Sequence, residues 1–170
     1  DCDGDRAAAV DETGRLLSPH ELIPLITRHL VQNRKQTGRV VSTLTCSATV
    51  SRQAAYLGLE SASVPVGFAR LYSEIEQGDV LLAAEEYGGI CIPSHLLERD
   101  GLLVALLVVE MLAYTHKSLA QLVSEDEAKL GRMCYSRRGV RLDAAATQAF
   151  RNILPGLNPE NVAGKVPVSV

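Results

Sequence analysis

The sequence has 170 residues, enough for one to one and a half domains of ordinary size. Hydrophobic residues make up 46% of it and aromatic residues only 4%, so the predicted core is aliphatic. The net charge of −3 excludes the basic face that nucleic-acid binding requires. The longest apolar run, residues 102–112, is too short to predict a membrane-spanning helix.

The spacing of the cysteines and the composition of the first ten residues indicate in which cellular compartment the protein is expected. Cys2, Cys46, Cys91 and Cys134 are widely spaced, which favours neither a zinc site nor a disulfide framework. The first ten residues are acidic, whereas a signal peptide begins with basic residues. We therefore expect reduced thiols in a cytoplasmic protein. The sequence begins without Met, inside a segment that resembles a functional loop, and we expect it to be a piece of a longer chain.

The first elements in chain order are a hairpin and a capped helix. Residues 6–10 and 15–17 are predicted strands around an acidic turn that contains Gly14. Ser18, Pro19 and Glu21 then provide an N-cap, a proline in the first helical turn and a capping-box acid. The helix is predicted to continue to about Lys35.

The following segments alternate between strand and helix. Strands are predicted at 39–45, 61–66 and 79–84, and helices at 47–56, 68–76, 101–114 and 118–130. This alternation predicts an α/β layer with a parallel sheet, in which strand 79–84 lies at an edge. Beyond Gly131 we expect a strand at 133–142, a helix from Asp143 to about Ile153, and the start of another strand at 166–170.

An acidic motif opens the chain: Asp1-Cys2-Asp3-Gly4-Asp5-Arg6. Carboxylates at alternate positions place three hard oxygen donors on one loop, which suits Mg²⁺ or Ca²⁺. An acidic surface turn is the simpler alternative. An EF-hand calcium loop is a further one, since Glu12 occupies its last ligand position, but Arg6 stands where that loop requires Gly. A calcium-binding structural module nevertheless stays open.

Three further segments carry polar residues. Glu85-Glu86-Tyr87-Gly88-Gly89 follows a buried strand, and the carboxyl end of such a strand is where α/β sheets bind ligands. Gly67 predicts a tight turn before a helix, with Arg70 a candidate ligand contact beyond it. Glu98-Arg99-Asp100-Gly101 is explained by Asp100 as a helix N-cap, so we assign it a structural role. His20, His29, His95 and His116 are scattered, and surface positions are expected for them.

These motifs together resemble those of the α-D-phosphohexomutases, the phosphoglucomutase/phosphomannomutase family. The first motif is similar to the family's metal loop, in which three aspartates bind Mg²⁺ beside an arginine that faces phosphate. The resemblance assigns Asp1, Asp3 and Asp5 as metal ligands and Arg6 as a catalytic residue. Glu85-Glu86-Tyr87-Gly88-Gly89 is similar to the sugar loop and assigns Glu85 and Tyr87 to the substrate, although Tyr replaces the usual Ser. The 64–70 segment resembles a third substrate loop, through Arg70.

The resemblance also implies a fold and an activity. Residues 1–17 would close the family's second domain, 18–130 would form its sugar-recognition domain with a mixed four-stranded sheet between helices, and 131–170 would lead into a fourth domain. The implied reaction interconverts hexose 1- and 6-phosphates through a phosphoserine enzyme and a hexose bisphosphate, with Mg²⁺ as cofactor. No Thr-Ala-Ser-His segment for the phosphoserine is present. The missing domains of the parent chain are thus expected partners, and this polypeptide alone is expected to be inactive and to bind Mg²⁺ weakly.

A catalytically silent relative that binds sugar phosphate is the second alternative, motivated by Tyr87 and by Ala69 where a lysine is usual. The motifs leave glucose, mannose and glucosamine phosphates as possible substrates. No nucleic-acid or membrane partner is expected.

Overall fold

The computed structural model describes residues 1–132, 135, 138–161 and 164, and these fall into two compact units. The first unit spans residues 1–135 and contains every strand that the structure describes. The second spans residues 136–170 and contains one helix and one 3-10 turn in its described part.

The strands are short, and the helices run for nine to fifteen residues. The strands are β1 Ala9–Val10, β2 Leu16–Leu17, β3 Arg39–Thr43, β4 Ser61–Val64, β5 Val80–Ala84 and β6 Ile90–Cys91. The helices are α1 Pro19–Gln32, α2 Ala48–Tyr56, α3 Phe68–Glu76, α4 Gly101–Thr115, α5 Leu119–Leu130 and α6 Ala144–Ile153. These bounds confirm most of the predicted elements to within three residues.

A mixed four-stranded sheet lies at the centre of the first unit, in the order β4-β3-β5-β6. β3 pairs in parallel with both β4 and β5, and β6 returns antiparallel to β5. β1 and β2 form a separate antiparallel pair. The predicted α/β class with a mixed four-stranded sheet between helices is therefore confirmed.

Both faces of the sheet are buried because helices pack against each of them, and alternate residues of a strand point to opposite sides. On β5, Leu82 and Ala84 pack with α1, α2 and α4, whereas Ala83 packs with α3 on the opposite face. On β3, Val40 packs on the same face as Leu82, and Val41 packs on the same face as Ala83. This explains why the strands read as continuous apolar runs rather than as an alternation of apolar and polar residues.

The predicted helix caps are present. The backbone N–H of Ser18 donates to Glu21 Oε2 at 2.8 Å in a capping box. Asp100 accepts from the N–H of Leu103 at 2.9 Å at the start of α4. Ser118 caps α5 and also contacts the carboxylate of Glu12. Glu12 therefore stabilises the N-terminus of a helix, where a negative charge is favoured, and this is a different role from the last ligand of an EF-hand.

Several expectations are wrong. Strand 79–84 is internal, because the two-residue β6 pairs along its outer side. α1 ends at Gln32, and Lys35 adopts a left-handed φ of 58° that cannot continue a helix. Of the strand predicted at 133–142, residues 135 and 138–142 are not in a strand, and the rest lies outside the described residues, as does the strand predicted at 166–170.

The second unit is mostly exposed where it is described. Asp143 accepts from the N–H of Ala146 at 2.7 Å and caps α6, as predicted. Across both units, no single helix within the described residues has the length and apolar content to cross a bilayer. Only α4 and α5 taken together have both, and an 84° bend separates them.

Candidate active site

A cleft of about 380 Å³ lies beyond the carboxyl end of β5. The N-terminal loop forms one wall and the turn after β5 forms another. The cleft is lined by Asp3, Asp5, Arg6, Val66, Glu85, Glu86, Tyr87 and Arg99. The first and second sequence motifs, some eighty residues apart in the chain, thus meet in one place.

The loop at residues 1–6 gathers its carboxylates. Asp1, Asp3 and Asp5 each offer an oxygen within 4.8 Å of the others. Arg6 offsets part of their negative charge, because its Nε pairs with the carboxylate of Asp1 and lies 3.6 Å from Asp5 Oδ1. The backbone N–H of Arg6 donates to Asp1 Oδ1 at 3.3 Å. Three acids and one guanidinium therefore leave this loop with a net negative charge.

Backbone contacts to glycines hold the loop in place. The carbonyl of Gly4 accepts from the N–H of Gly101 at 2.8 Å, and the N–H of Ala7 donates to the carbonyl of Gly88 at 3.2 Å. A Cβ atom on Gly101 would lie 2.7 Å from the carbonyl oxygen of Arg6. A Cβ on Gly88 would lie 2.6 Å from that of Ala7. Only glycine allows the loop to approach the turn and α4 so closely.

The turn after β5 presents two acids differently. The N–H of Glu85 donates to the carbonyl of Gly89 at 2.9 Å, and Gly88 adopts a φ of 93° that few side chains tolerate. Glu86 is buried and accepts from the hydroxyl of Thr43 at 3.0 Å beneath the turn. Tyr87 is 53% exposed at the cleft. Glu85, Glu86 and Tyr87 all border the cleft, and Glu86 is in addition tied to β3 beneath the turn.

Arg99 joins the two walls. Its Nη2 lies 2.8 Å from Asp5 Oδ2, and its Nη1 donates to Glu85 Oε2 at 2.8 Å. Burial lowers the pKa of Arg99, but the hydrogen bond to Glu98 and the charges of Glu85 and Asp5 outweigh burial and raise it above its ordinary value. The expectation that 98–101 is purely structural is thus incomplete: Asp100 does cap α4, while the residue before it reaches the cleft. No pattern in residues 98–101 indicated this contact, because it depends on segments that are distant in the chain.

The structure brings most of the predicted site residues together. Asp3, Asp5, Arg6, Glu85 and Tyr87 line the cleft, and Asp1 lies within the same carboxylate cluster. Arg70 lies apart, exposed in the first turn of α3 and outside the lining of the cleft. Its contact with substrate stays a prediction.

Two histidines depart from the expected surface positions. His20 is 2% exposed, and its Nδ1 accepts from the N–H of Ser47 at 3.1 Å. Burial lowers the pKa of His20, against the opposing charges of Glu86 and Glu21. His29 is also buried, and its Nε2 lies 3.2 Å from Glu110 Oε2. Both histidines serve the packing around α1 rather than the cleft.

None of the described cysteines lines the cleft. Cys2, Cys46 and Cys91 are free thiols, and Cys134 lies outside the described residues. Burial raises the pKa of Cys91 to about 12 and also raises that of Cys46. The buried thiol of Cys91 and the half-buried thiol of Cys46 are therefore protonated at neutral pH and are poor nucleophiles and metal ligands.

The carboxylate cluster fits a hard divalent cation. Oxygen donors are the ligands that Mg²⁺ and Ca²⁺ prefer. Asp5 Oδ1 is buried and has no hydrogen-bond partner among the described residues, which is the state expected of an oxygen that awaits a cation. Asp1 and Asp3 are exposed, so water can complete a coordination shell on the cleft side.

The fold and cleft define an α/β domain that presents acidic loops at the carboxyl end of its sheet. A family model described as phosphoglucomutase/phosphomannomutase, alpha/beta/alpha domain III, matches residues 18–130. The chain belongs to this α-D-phosphohexomutase family.

Individual relatives support the same family. A phosphoglucosamine mutase from Pseudomonas fluorescens is 33% identical over 121 residues, covering 71% of this chain and 27% of the relative. One from Bacillus cytotoxicus is 29% identical over 130 residues, covering 74% of this chain and 28% of the relative. The chain therefore spans little more than a quarter of the length of these relatives.

Solved structures agree on the fold. A structure from Thermus thermophilus, assigned as a phosphomannomutase, is 36% identical with a TM-score of 0.71 over 77% of this chain and 30% of its own. The phosphoglucomutase parafusin from Paramecium is 21% identical with a TM-score of 0.70 over 78% of this chain and 24% of its own. The second likeness, at such low identity, supports the fold alone.

Proposed function

We propose that this chain is the metal-loop and sugar-recognition part of a cytoplasmic phosphohexomutase. The parent enzyme interconverts hexose 1- and 6-phosphates through a phosphoserine and a hexose bisphosphate. The observation that carries the proposal is the convergence of the Asp1, Asp3 and Asp5 carboxylates and the Glu85 carboxylate on one cleft. A hard-cation site beside a hydrogen-bonding acid is what transfer of a phosphoryl group to and from a sugar requires.

Each residue has a role in that proposal. Asp1, Asp3 and Asp5 hold Mg²⁺, which when bound withdraws charge from the phosphoryl group in transfer. Arg6 lies beside them and offsets phosphate charge through charge-assisted hydrogen bonds. Glu85 accepts hydrogen bonds from sugar hydroxyls and Tyr87 borders the sugar, while Arg70 would reach the substrate from α3. The phosphoserine and the distal phosphate contacts would come from other domains of the parent chain.

The division into domains follows from the same proposal. Residues 1–17 would close one domain of the parent, residues 18–130 form the sugar-recognition domain, and residues 131–170 lead towards the next. Leu17 packs against α1, α4 and α5, so the metal loop reaches the cleft on a segment that is anchored in the core.

Calorimetric titration of the chain with Mg²⁺ tests the metal assignment. We expect weak binding, with a dissociation constant above roughly 10 µM, because a Mg²⁺ site of this kind needs phosphate oxygens to complete it. Asp3→Asn is expected to abolish this binding. Asp79→Asn is the matched control: Asp79 precedes β5 at the opposite end of the sheet, and Asn tolerates its left-handed φ of 59°. Equal loss in both variants would contradict the assignment.

Titration with hexose 1-phosphates tests the sugar assignment. Two-dimensional NMR of the chain with glucose, mannose and glucosamine 1-phosphates is expected to shift amides of the 85–89 turn. Glu85→Gln should weaken that response, and Glu60→Gln, an exposed acid ahead of β4, should not. A site selective for Ca²⁺ with no response to hexose phosphate would instead support a calcium-binding structural module.

A further inference from the structure

Arg99 makes four contacts that no other side chain of the cleft combines within the described residues. It pairs with Asp5 in the metal loop and with Glu85 in the sugar turn, each at 2.8 Å. Its Nε donates to Glu98 Oε1 at 3.1 Å, and its guanidinium carbon lies 4.7 Å from the centroid of the Phe68 ring. The planar fork of a guanidinium suits it to hold two carboxylates at once.

Arg99 contacts only one of the two carboxylate oxygens of Asp5 and of Glu85. Arg99 takes Oδ2 of Asp5 and Oε2 of Glu85. Asp5 Oδ1 remains buried without a hydrogen bond among the described residues, 3.6 Å from Nε of Arg6. Arg99 thus fixes one oxygen of each carboxylate. Without a cation between them, Asp5 and Glu85 would repel each other across the cleft.

The arginine is itself held in one orientation. Its side chain is 25% exposed and lies over Phe68, the first residue of α3. A Cβ on Gly89 would lie 2.8 Å from Cδ of Arg99, so glycine at that position makes room for the arginine stem. The 64–70 segment therefore contributes an aromatic support to the cleft through Phe68, while the substrate contact of Arg70 stays a prediction.

We propose that Arg99 is a positioning residue for the sugar: it fixes the Glu85 carboxylate, at a set distance from the metal loop, in the orientation that accepts the sugar hydroxyls. The proposal rests on the proposed function, because it requires that Glu85 contact the sugar. A displacement of the Glu85 carboxylate by about 1 Å would cost much of what correct orientation contributes to binding. Because Arg99 contacts Glu85, its effect on the sugar is exerted through that carboxylate.

Hexose phosphate affinity of the chain tests this role. The probe is whichever of glucose, mannose and glucosamine 1-phosphate binds the wild-type chain best by NMR titration. Arg99→Met is expected to weaken binding by about tenfold, and Arg99→Lys by an intermediate factor, because one ammonium cannot form both branches of the fork. In a Glu85→Gln background, Arg99→Met should cost less than about threefold, since contacting residues are not additive.

Arg39→Met is the matched control. Arg39 lies at the start of β3, at the other end of the sheet, with a side chain 22% exposed and an ion pair to Glu74 at 3.1 Å. It should leave hexose phosphate affinity unchanged even if it lowers the melting temperature as much as Arg99→Met does. A merely structural Arg99 would affect stability without the non-additive effect on affinity.

The outcomes separate the two proposals. Additive losses from Arg99→Met and Glu85→Gln, or full retention of affinity in Arg99→Lys, would overturn the forked positioning role and leave the proposed function intact. A wild-type chain that binds none of the three hexose phosphates would overturn the proposed function, and the role of Arg99 with it.

Discussion

The hydroxyl of Thr49 donates a hydrogen bond to the backbone carbonyl of His20 at 3.1 Å. That carbonyl lies four residues before Pro24, which is inside α1 and has no N–H to offer it. α2 therefore supplies, through a side chain, the donor that α1 lacks. This contact explains how a proline is accommodated in the middle of a fully buried helical segment.

Thr49→Val should destabilise the chain by about 1–2 kcal/mol, because it leaves the buried His20 carbonyl unsatisfied. Chemical denaturation measures the change, and Thr49→Ser, which keeps the hydroxyl, should lose less. In a Pro24→Ala background the cost of Thr49→Val should shrink to below about 0.5 kcal/mol, since an alanine at that position restores the backbone donor. An undiminished cost would show that the hydroxyl acts elsewhere.

Gly101→Ala should disturb the metal loop from the opposite wall. Its Cβ would lie 2.7 Å from the Arg6 carbonyl oxygen and 2.9 Å from that of Gly4. We expect a loss of about 1–3 kcal/mol in stability, together with weaker Mg²⁺ binding by calorimetry. Gly139→Ala is the control, because a Cβ there meets nothing within 4 Å. Mg²⁺ binding that survives Gly101→Ala unchanged would contradict the dependence of the site on this contact.

Acid stability should depend on Asp11, which accepts hydrogen bonds in the turn between β1 and β2. The Thr13 hydroxyl and the N–H groups of Thr13 and Arg15 lower the pKa of Asp11 from 3.8 to about 2, against the effect of burial. A depressed folded-state pKa contributes stability that is complete above the unfolded pKa. That stability is lost as pH falls from about 4 to about 2.

Melting temperatures of wild type and Asp11→Asn, compared at several pH values, test this dependence. The two curves should be furthest apart above pH 4 and should converge towards pH 2. Thr13→Val, which removes the hydroxyl donor, should give a curve that lies between those of wild type and Asp11→Asn. Parallel curves across the acid range would contradict the linkage.

The chain alone should show no mutase turnover with glucose 1-phosphate above background. The proposed reaction needs a phosphoserine donor, and the sequence contains no Thr-Ala-Ser-His segment. A coupled assay for glucose 6-phosphate measures this, with a complete phosphoglucomutase as positive control. Turnover that disappears in Asp3→Asn would show that the chain carries its own donor.

The sequence predicts the helices and the long strands well because their signals are local. Ser18, Asp100, Ser118 and Asp143 mark helix starts, and the apolar run of β5 marks a strand buried on both faces. β6 has only two residues and no pattern of its own. Its pairing with β5 could not be predicted from the residues, and the expectation that β5 lies at an edge is wrong for that reason.

The role of Asp1, Asp3 and Asp5 as metal ligands stays a prediction, but their clustering was predictable because one short segment carries all three carboxylates. The position of Arg99 was not predictable, because its contacts depend on segments that are separate in the chain. The burial of His20 and His29 was missed for the same reason: no pattern in α1 reveals that α2, α4 and α5 all pack against it.

The glycines at the cleft have a consequence for which positions of the chain can vary. Gly88 and Gly101 admit no side chain without displacing the metal loop, and Gly89 admits none without displacing Arg99. Glu86 is tied to Thr43 beneath the turn. Tyr87, at 53%, is the exposed residue of the 85–89 turn. Under the proposed function, substitutions that change sugar preference are therefore expected away from these glycines, where the backbone around the carboxylates leaves no room for a side chain.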